Sequence, residues 1–191
     1  MIRGIIFDCF GVLYHGSLDQ LFELTPPDRH QELRDLHHSY DYGYIDKKDF
    51  FEGMGILMEV SAGQVEKICN KEHVRNDRLI HYIKTLRPQY NTALLSNVGR
   101  GFLDNLFTSE ELTALFDVEI LSAEVNIMKP SAAIYELTAD KLGLKPAECF
   151  MVDDVQANID AAKEVGMLGV TYTTTDALQM ALRPLLRGPY A

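Results

Sequence analysis

From about residue 77 onward, short apolar runs that stop at polar residues alternate with amphipathic stretches, and this alternation limits the chain to few folds. "RLIHYIKTL" has helical spacing, "TALLSN" reads as a buried strand, and "GFLDNLF" as a short helix. "FDVEILS" is a second strand, followed by a helix over "SAAIYELTADKLGL". "ECFMVDD" is a third strand, "QANIDAAKEVG" a helix closed by Gly166, and "LGVTYT" a fourth strand before a last helix over 175–187. Strands that alternate with helices build a parallel sheet covered on both faces.

"IRGIIFD", residues 2–8, reads as one more buried strand, separated from the others by a different kind of sequence. Residues 15–75 are rich in charge and helix formers. "LDQLFEL", "RHQELRDLHHSY", "DKKDFFEGMGILMEV" and "AGQVEKICNKE" are expected helices, the last with Ser61 as its N-cap. With 191 residues, 47% of them apolar, the chain can bury one sizeable core and a small satellite. The expected division is a core of residues 1–14 and 76–191, with residues 15–75 inserted as a helical cap. Tyr42, Tyr44, Phe50 and Phe51 are expected to build the interior of the cap.

Composition excludes several classes. A net charge of −10, spread along the chain, argues against a nucleic-acid partner, which needs a basic face. Cys9, Cys69 and Cys149 are far apart and form no CxxC, which fits a reducing compartment. Cys9 is read as a packing residue. The first residues carry one basic group and an apolar run too short for a signal peptide, and no stretch approaches the length of a membrane span. The expectation is a cytoplasmic protein without a membrane partner, either a monomer or a homodimer. The six histidines include no HxH or HxxxH, so zinc is not expected. His37 and His38 are read as surface residues of a cap helix. "GVLYHG", after the first strand, has no Gly-x-Gly pattern for a dinucleotide, and no Walker GxxxxGK occurs.

In an open α/β sheet, ligands bind beyond the carboxyl ends of the strands. The first strand ends at Asp8. "TALLSN" ends at Ser96 and Asn97, and "FMVDD" at Asp153 and Asp154. Lys129 lies in the loop "NIMKPS", just before Pro130, which is expected to open a helix. Each alone has a plain structural reading: Asp8 as a helix cap, Ser96–Asn97 as a turn, Lys129 as a surface charge. Asp153 and Asp154 are harder to place that way, because adjacent carboxylates repel and call for a cation. A carboxylate nucleophile, hydroxyl and amide donors, one cation and an acidic pair make a coherent phosphoryl-transfer set.

The four segments "FDCFGVL", "LLSN", "MKP" and "VDDVQANIDAAKEVGM" resemble, in order and spacing, the motifs of the haloacid dehalogenase-like (HAD) hydrolase superfamily. "MKPSAAIYE" and "VDDVQANI" look closest to the phosphatase branch that includes glucose-1-phosphate phosphatases and the N-terminal domains of epoxide hydrolases. The resemblance implies a Rossmann-like three-layer core with a parallel sheet and a small inserted helical cap. It implies Asp8 as a nucleophile that forms an aspartyl-phosphate. Ser96, Asn97 and Lys129 would hold the phosphoryl group. Mg²⁺ would lie on Asp8, Asp154 and the backbone carbonyl of Phe10, with Asp153 in contact through water and Asn158 supporting it. The implied substrate is a small phosphorylated metabolite, with sugar 1-phosphates one candidate.

Position 10 departs from the pattern. Most phosphatases of this family carry there an Asp that protonates the leaving oxygen and later activates water. Phe10 can do neither, and a general acid–base group contributes about 10²–10⁴ in rate. Three readings follow: a phosphatase with an easier leaving group or an acid from elsewhere, a non-catalytic or weakly active binding protein, and a metal-independent 2-haloacid dehalogenase. Tyr14, His15 and Asp19 are the first candidates to supply the proton.

Overall fold

The structure is a computed structural model; it describes residues 1–16, 18–71 and 73–186, with the backbone alone for residues 18–20 and 71. The strands are β1 (Gly4–Phe7), β2 (Tyr14–His15), β3 (Val74–Arg75), β4 (Asn91–Ser96), β5 (Val118–Leu121), β6 (Cys149–Asp153) and β7 (Leu168–Thr171). The helices are α1 (Leu18–Leu24), α2 (His30–Asp41), α3 (Lys47–Met58), α4 (Ala62–Lys71) and α5 (Asp77–Leu86), then α6 (Ser109–Leu115), α7 (Ser122–Val125), α8 (Ala132–Lys141), α9 (Gln156–Glu164) and α10 (Thr175–Leu182).

Five strands pair in parallel in the order β5-β4-β1-β6-β7. Both β1 and β6 are buried along their whole length, as expected for strands covered on two faces. Side chains alternate across the sheet: Ile5 and Phe7 join one apolar cluster, Ile6 the other. The first cluster takes Leu79, Ile83 and Leu86 from α5 and Leu178 and Leu182 from α10. The second takes Ile134 and Tyr135 from α8 and Ile159 and Ala162 from α9. The result is the expected three-layer, Rossmann-like α/β core. The chain leaves β1 toward β4 and β5, then returns to β6 and β7 on the other side. The switch point therefore falls at β1, and Asp8 is the next residue.

Helices α1 to α4 contribute no strand to this sheet. They share a third apolar cluster that includes Leu33, Tyr40, Phe50, Met54 and Val65. Ser61 caps α4: its hydroxyl accepts from the Gln64 amide and the Gln64 side chain accepts from the Ser61 amide. Asn76 caps α5 and also donates to the Val12 carbonyl at 2.9 Å, which pins the loop after Asp8 to the core.

Some expectations change. Pro130 does not open a helix; it lies in a turn, and α8 starts at Ala132 with Ser131 as N-cap. "GFLDNLF" shrinks to one 3₁₀ turn, Leu103–Asn105. Helix α6 carries a capping box, Thr108 with Glu111, absent from the sequence reading. A two-stranded antiparallel ribbon joins β2 and β3 where the chain enters and leaves the helical segment. Phe50 and Phe51 are buried, but Tyr44 is 69% exposed and stacks on Tyr42 at the surface.

Candidate active site

Lys129 is the centre of the site. Its ammonium lies 2.8 Å from Asp8 Oδ1 and 2.6 Å from Asp153 Oδ2, and all three side chains are buried. Asp8 Oδ1 also accepts from the Cys9 amide at 2.7 Å. The Asp153 carboxylate is fully occupied: Oδ1 accepts from the Val155 amide and Asn158 Nδ2, both at 2.9 Å, and Oδ2 accepts from Lys129 and from Asn158 at 3.1 Å. The same bonds fix the turn that starts α9. Asp153 therefore orients Lys129 and has no free lone pair in the direction of its present partners.

The Asn97 side chain is committed to the Lys129 backbone. Its Nδ2 donates to the Lys129 carbonyl and its Oδ1 accepts from the Lys129 amide, each at 2.9 Å. Ser96 is fully buried, and its hydroxyl has no partner among the described residues. An orphaned buried hydroxyl costs stability, which makes it a natural place for a ligand atom.

Two buried carboxylates face one ammonium, so the cluster carries excess negative charge. Burial pushes the Asp8 pKa up to about 7; the Asp153 charge adds to the shift and Lys129 opposes it. Burial alone would lower the Lys129 pKa, yet the two carboxylates outweigh it and keep the cation. Asp154 is raised by burial and by the neighbouring Asp153. Asp8, Asp153 and Asp154 each place an oxygen within 4.8 Å of the others. An all-oxygen donor set with surplus negative charge fits a hard divalent cation such as Mg²⁺.

Gly11 makes room for this cluster. Its φ is +77°, and a Cβ there would sit 2.0 Å from Asp154 Oδ2. Gly11→Ala is expected to push Asp154 aside and to weaken metal affinity about 10–100-fold, the range for disturbed metal-site support. Titration of Mg²⁺ against thermal stability would check this; unchanged affinity would mean that Asp154 does not hold the metal.

A cavity of ≈ 630 Å³ opens over the triad. The core contributes Asp8, Phe10, Asn97, Lys129, Asp154 and Asn158. The helical segment contributes His37, Tyr40, Asp41 and Phe50, and His15 also lines it. Phe10 packs against Phe102 at 5.7 Å and His73 at 5.5 Å, part of an aromatic wall. Of the proton-donor candidates, Tyr14 is tied up: its hydroxyl donates to the Leu106 carbonyl at 2.5 Å. The Asp19 side chain lies outside the described residues. His37, read from the sequence as a surface residue, instead faces the cavity. The buried Cys9 thiol is pushed well above its ordinary pKa by burial and by Asp8, so it stays protonated.

A doubly wound sheet with an aspartate at its switch point and a lysine-bridged acidic cluster defines a hydrolase of the haloacid dehalogenase-like class. The haloacid dehalogenase-like hydrolase family model matches residues 2–166, and the chain belongs to that family. The sesquiterpene phosphatase astK of Aspergillus oryzae is 38% identical over 196 residues, 96% of each chain. The drimenol cyclase drtB of Aspergillus calidoustus is 22% identical over 201 residues, and the bifunctional epoxide hydrolase 2 of Mus musculus is 36% identical over 70. The chain spans 37% of that cyclase's length and 13% of that epoxide hydrolase's. A HAD family enzyme of Bacteroides thetaiotaomicron, solved as a magnesium complex, shares the fold with a TM-score of 0.82 at 21% identity, over 95% of this chain and 98% of its own. No helix among the described residues is long and apolar enough to cross a membrane.

Proposed function

We propose that this chain is a Mg²⁺-dependent phosphatase that cleaves small phosphate monoesters through an aspartyl-phosphate on Asp8. The observation that carries this reading is the buried Asp8–Lys129–Asp153 triad at the switch point, with Asp154 beside it. A carboxylate attacking a phosphate dianion meets charge repulsion. Lys129 offsets part of it at the attacking oxygen and at the equatorial oxygens of the transition state. The Ser96 hydroxyl supplies a donor to the phosphoryl group, and Asn97 holds Lys129 in register. Asp8, Asp154 and the Phe10 carbonyl would hold Mg²⁺, while Asp153, its oxygens taken by Lys129, Asn158 and the Val155 amide, would act on the ion through its charge. When bound, the metal supplies charge neutralisation between nucleophile and phosphate.

Residues 15–75 act as the cap, and with it shape the space for the leaving group. The aromatic lining of Phe10, Tyr40, Phe50 and Phe102, together with a sesquiterpene phosphatase among the relatives, supports a leaving group with an apolar face. Phe10 itself favours a second reading, a sugar 1-phosphate. An anomeric hydroxyl (pKa about 12) departs as an anion more easily than a simple alcohol (about 15–16), so it depends less on an acid. The unpaired, buried thiols of Cys9, Cys69 and Cys149 support a cytoplasmic location.

Activity on aryl phosphates is expected to vanish in excess chelator and to return with Mg²⁺. Asp154→Ala is expected to raise the Mg²⁺ requirement and lower the rate, about 10-fold or more in each. Full turnover of a 2-haloacid in chelator, without phosphatase activity, would instead support the dehalogenase reading.

A further inference from the structure

The cavity holds an acid–base pair that the family motifs do not include. His37 Nδ1 lies 3.0 Å from Asp41 Oδ2, one helical turn along α2, and both residues line the cavity above Asp8. This geometry leaves Nε2 of the imidazole for proton transfer. The other titratable side chains of the wall are less suited. Asp8, Lys129 and Asp154 are engaged in the anionic cluster, and the Tyr40 hydroxyl donates to the Arg100 carbonyl at 2.9 Å. His15 interacts electrostatically with Asp154, beside the anionic cluster, and no carboxylate is hydrogen-bonded to its ring among the described residues.

The pair is not carried on a loose flap. The Ser122 hydroxyl donates to the Asp41 carbonyl at 2.5 Å, Asn126 to the Tyr42 carbonyl at 3.0 Å, and Arg100 to the Gly43 carbonyl at 3.0 Å. Tyr40 lies so close to the core that a Cβ at Gly99 would stand 2.2 Å from its ring. These contacts anchor the C-terminal end of α2 on the loop that follows β4 and on α7 after β5. Phe50 of α3 packs edge-on against the His37 ring at 5.8 Å and restricts its rotation.

We propose that His37, oriented by Asp41, is the proton donor and acceptor of the reaction, in place of an acid at position 10. The proposal rests on the phosphatase reading above. In the first step the Asp8 Oδ–P bond forms, the P–O bond to the leaving group breaks, and His37 Nε2–H gives its proton to the departing oxygen. In the second, water attacks phosphorus, neutral His37 takes a water proton, and the P–O bond to Asp8 breaks. The products are an alcohol and inorganic phosphate, with His37 returned to its protonated form. His37 is a catalytic residue in this scheme and Asp41 a positioning residue.

The charged groups around His37 are Asp41 on its own helix and, in the same cavity, Asp8, Lys129, Asp154 and His15. Burial alone would lower the His37 pKa; the hydrogen bond and charge of Asp41 outweigh it, so the imidazolium persists to higher pH than usual. A general acid acts in its protonated form. For poor leaving groups, kcat/KM should therefore fall as pH rises through this raised pKa.

The test measures kcat/KM with Mg²⁺ on p-nitrophenyl phosphate and on phosphates of simple alcohols, across pH 5.5–8.5 (roughly the range in which an imidazole titrates). His37→Gln is expected to cost about 10²–10³ on the alkyl phosphates and less than about 10-fold on the aryl phosphate. Asp41→Asn is expected to shift the falling limb for alkyl phosphates to lower pH, an effect that a merely structural role would not produce. Thermal melts of both variants check that they fold. An equal loss on both substrates, or no loss, in a folded His37→Gln protein overturns the proposal, as does an Asp41→Asn profile that keeps its limb. Aryl phosphatase activity that depends on Asp8 keeps the phosphatase reading in either case. Its absence in the unmodified protein would remove both.

Discussion

Asp8→Asn should abolish turnover and leave the fold intact. A carboxamide cannot form the aspartyl-phosphate, and loss of a nucleophile typically removes at least about 10³ in kcat. Stability should move in the other direction. In the native protein, two buried carboxylates share Lys129, and burial has pushed Asp8 up to about 7, so holding it ionised is costly. The near-isosteric Asn removes that charge and leaves the Lys129–Asp153 contact at 2.6 Å as a neutral pair. Without Mg²⁺, the variant should melt at the same temperature as the unmodified protein or higher. The unmodified protein should gain more stability from Mg²⁺, because its Asp8 carboxylate would bind the ion more tightly and stabilisation grows as RT ln(1 + [L]/Kd). Paired kinetic and thermal measurements on protein free of deamidation would decide. Retention of most of the rate would remove Asp8 from the nucleophile's role. A large drop in melting temperature would mean that Asp8 is needed chiefly for the fold.

What was legible in the sequence follows from where burial is complete. Strands β1, β4 and β6 are central and parallel, so they read as apolar runs, and the polar residues that end them stand out. This is why Asp8, Ser96 and Asp153 could be selected without coordinates. Short elements were harder. The ribbon of β2 and β3 has two residues per strand, too few for any periodicity. Helix α6 did carry a signal, the Thr108–Glu111 capping box, but its apolar content is slight. Tyr44 resembles Phe50 in composition yet faces solvent, because burial of an aromatic depends on which face its segment presents.

The roles of side chains within the site were less legible than their positions. Asn97 looks like a ligand donor in sequence, whereas its amide clamps the backbone of a residue 32 positions away. His37 and Asp41 have the i, i+4 spacing of a helical pair. That spacing alone reads as a solvated salt bridge. Only the docking of α2 on Ser122, Asn126 and Gly99 turns the pair toward the cavity. Those contacts are tertiary and have no local signature.

Lys129→Met should be the most destabilising single change in the site. The side chain is 2% exposed and is the cation that holds Asp8 and Asp153 together. Removing one partner of a buried ionic cluster costs about 3–5 kcal/mol, because the remaining charges stay buried without compensation. The sign of its pH dependence follows from Asp8. In the native protein, Lys129 lowers a pKa that burial and Asp153 raise. Without Lys129 only the raising effects remain, and the folded variant keeps the Asp8 proton to still higher pH. An unfolded chain releases that proton near about 3.9. From about 3.9 to about 7 both folded proteins hold the Asp8 proton and lose stability alike as pH rises; above about 7 only the folded variant still binds it, so its deficit grows there. The deficit of Lys129→Met relative to the native protein should therefore shrink on acidification. Urea denaturation of both proteins at about pH 6 and 8.5, in chelator, reads this directly. Adding Asp153→Asn to the variant should restore part of the loss, since it removes the charge that Lys129 leaves stranded. A small deficit that does not change with pH would mean that Lys129 is not the counter-ion of the cluster. Its assigned action on a phosphoryl group would then lose its basis as well, because the same buried charge carries both tasks.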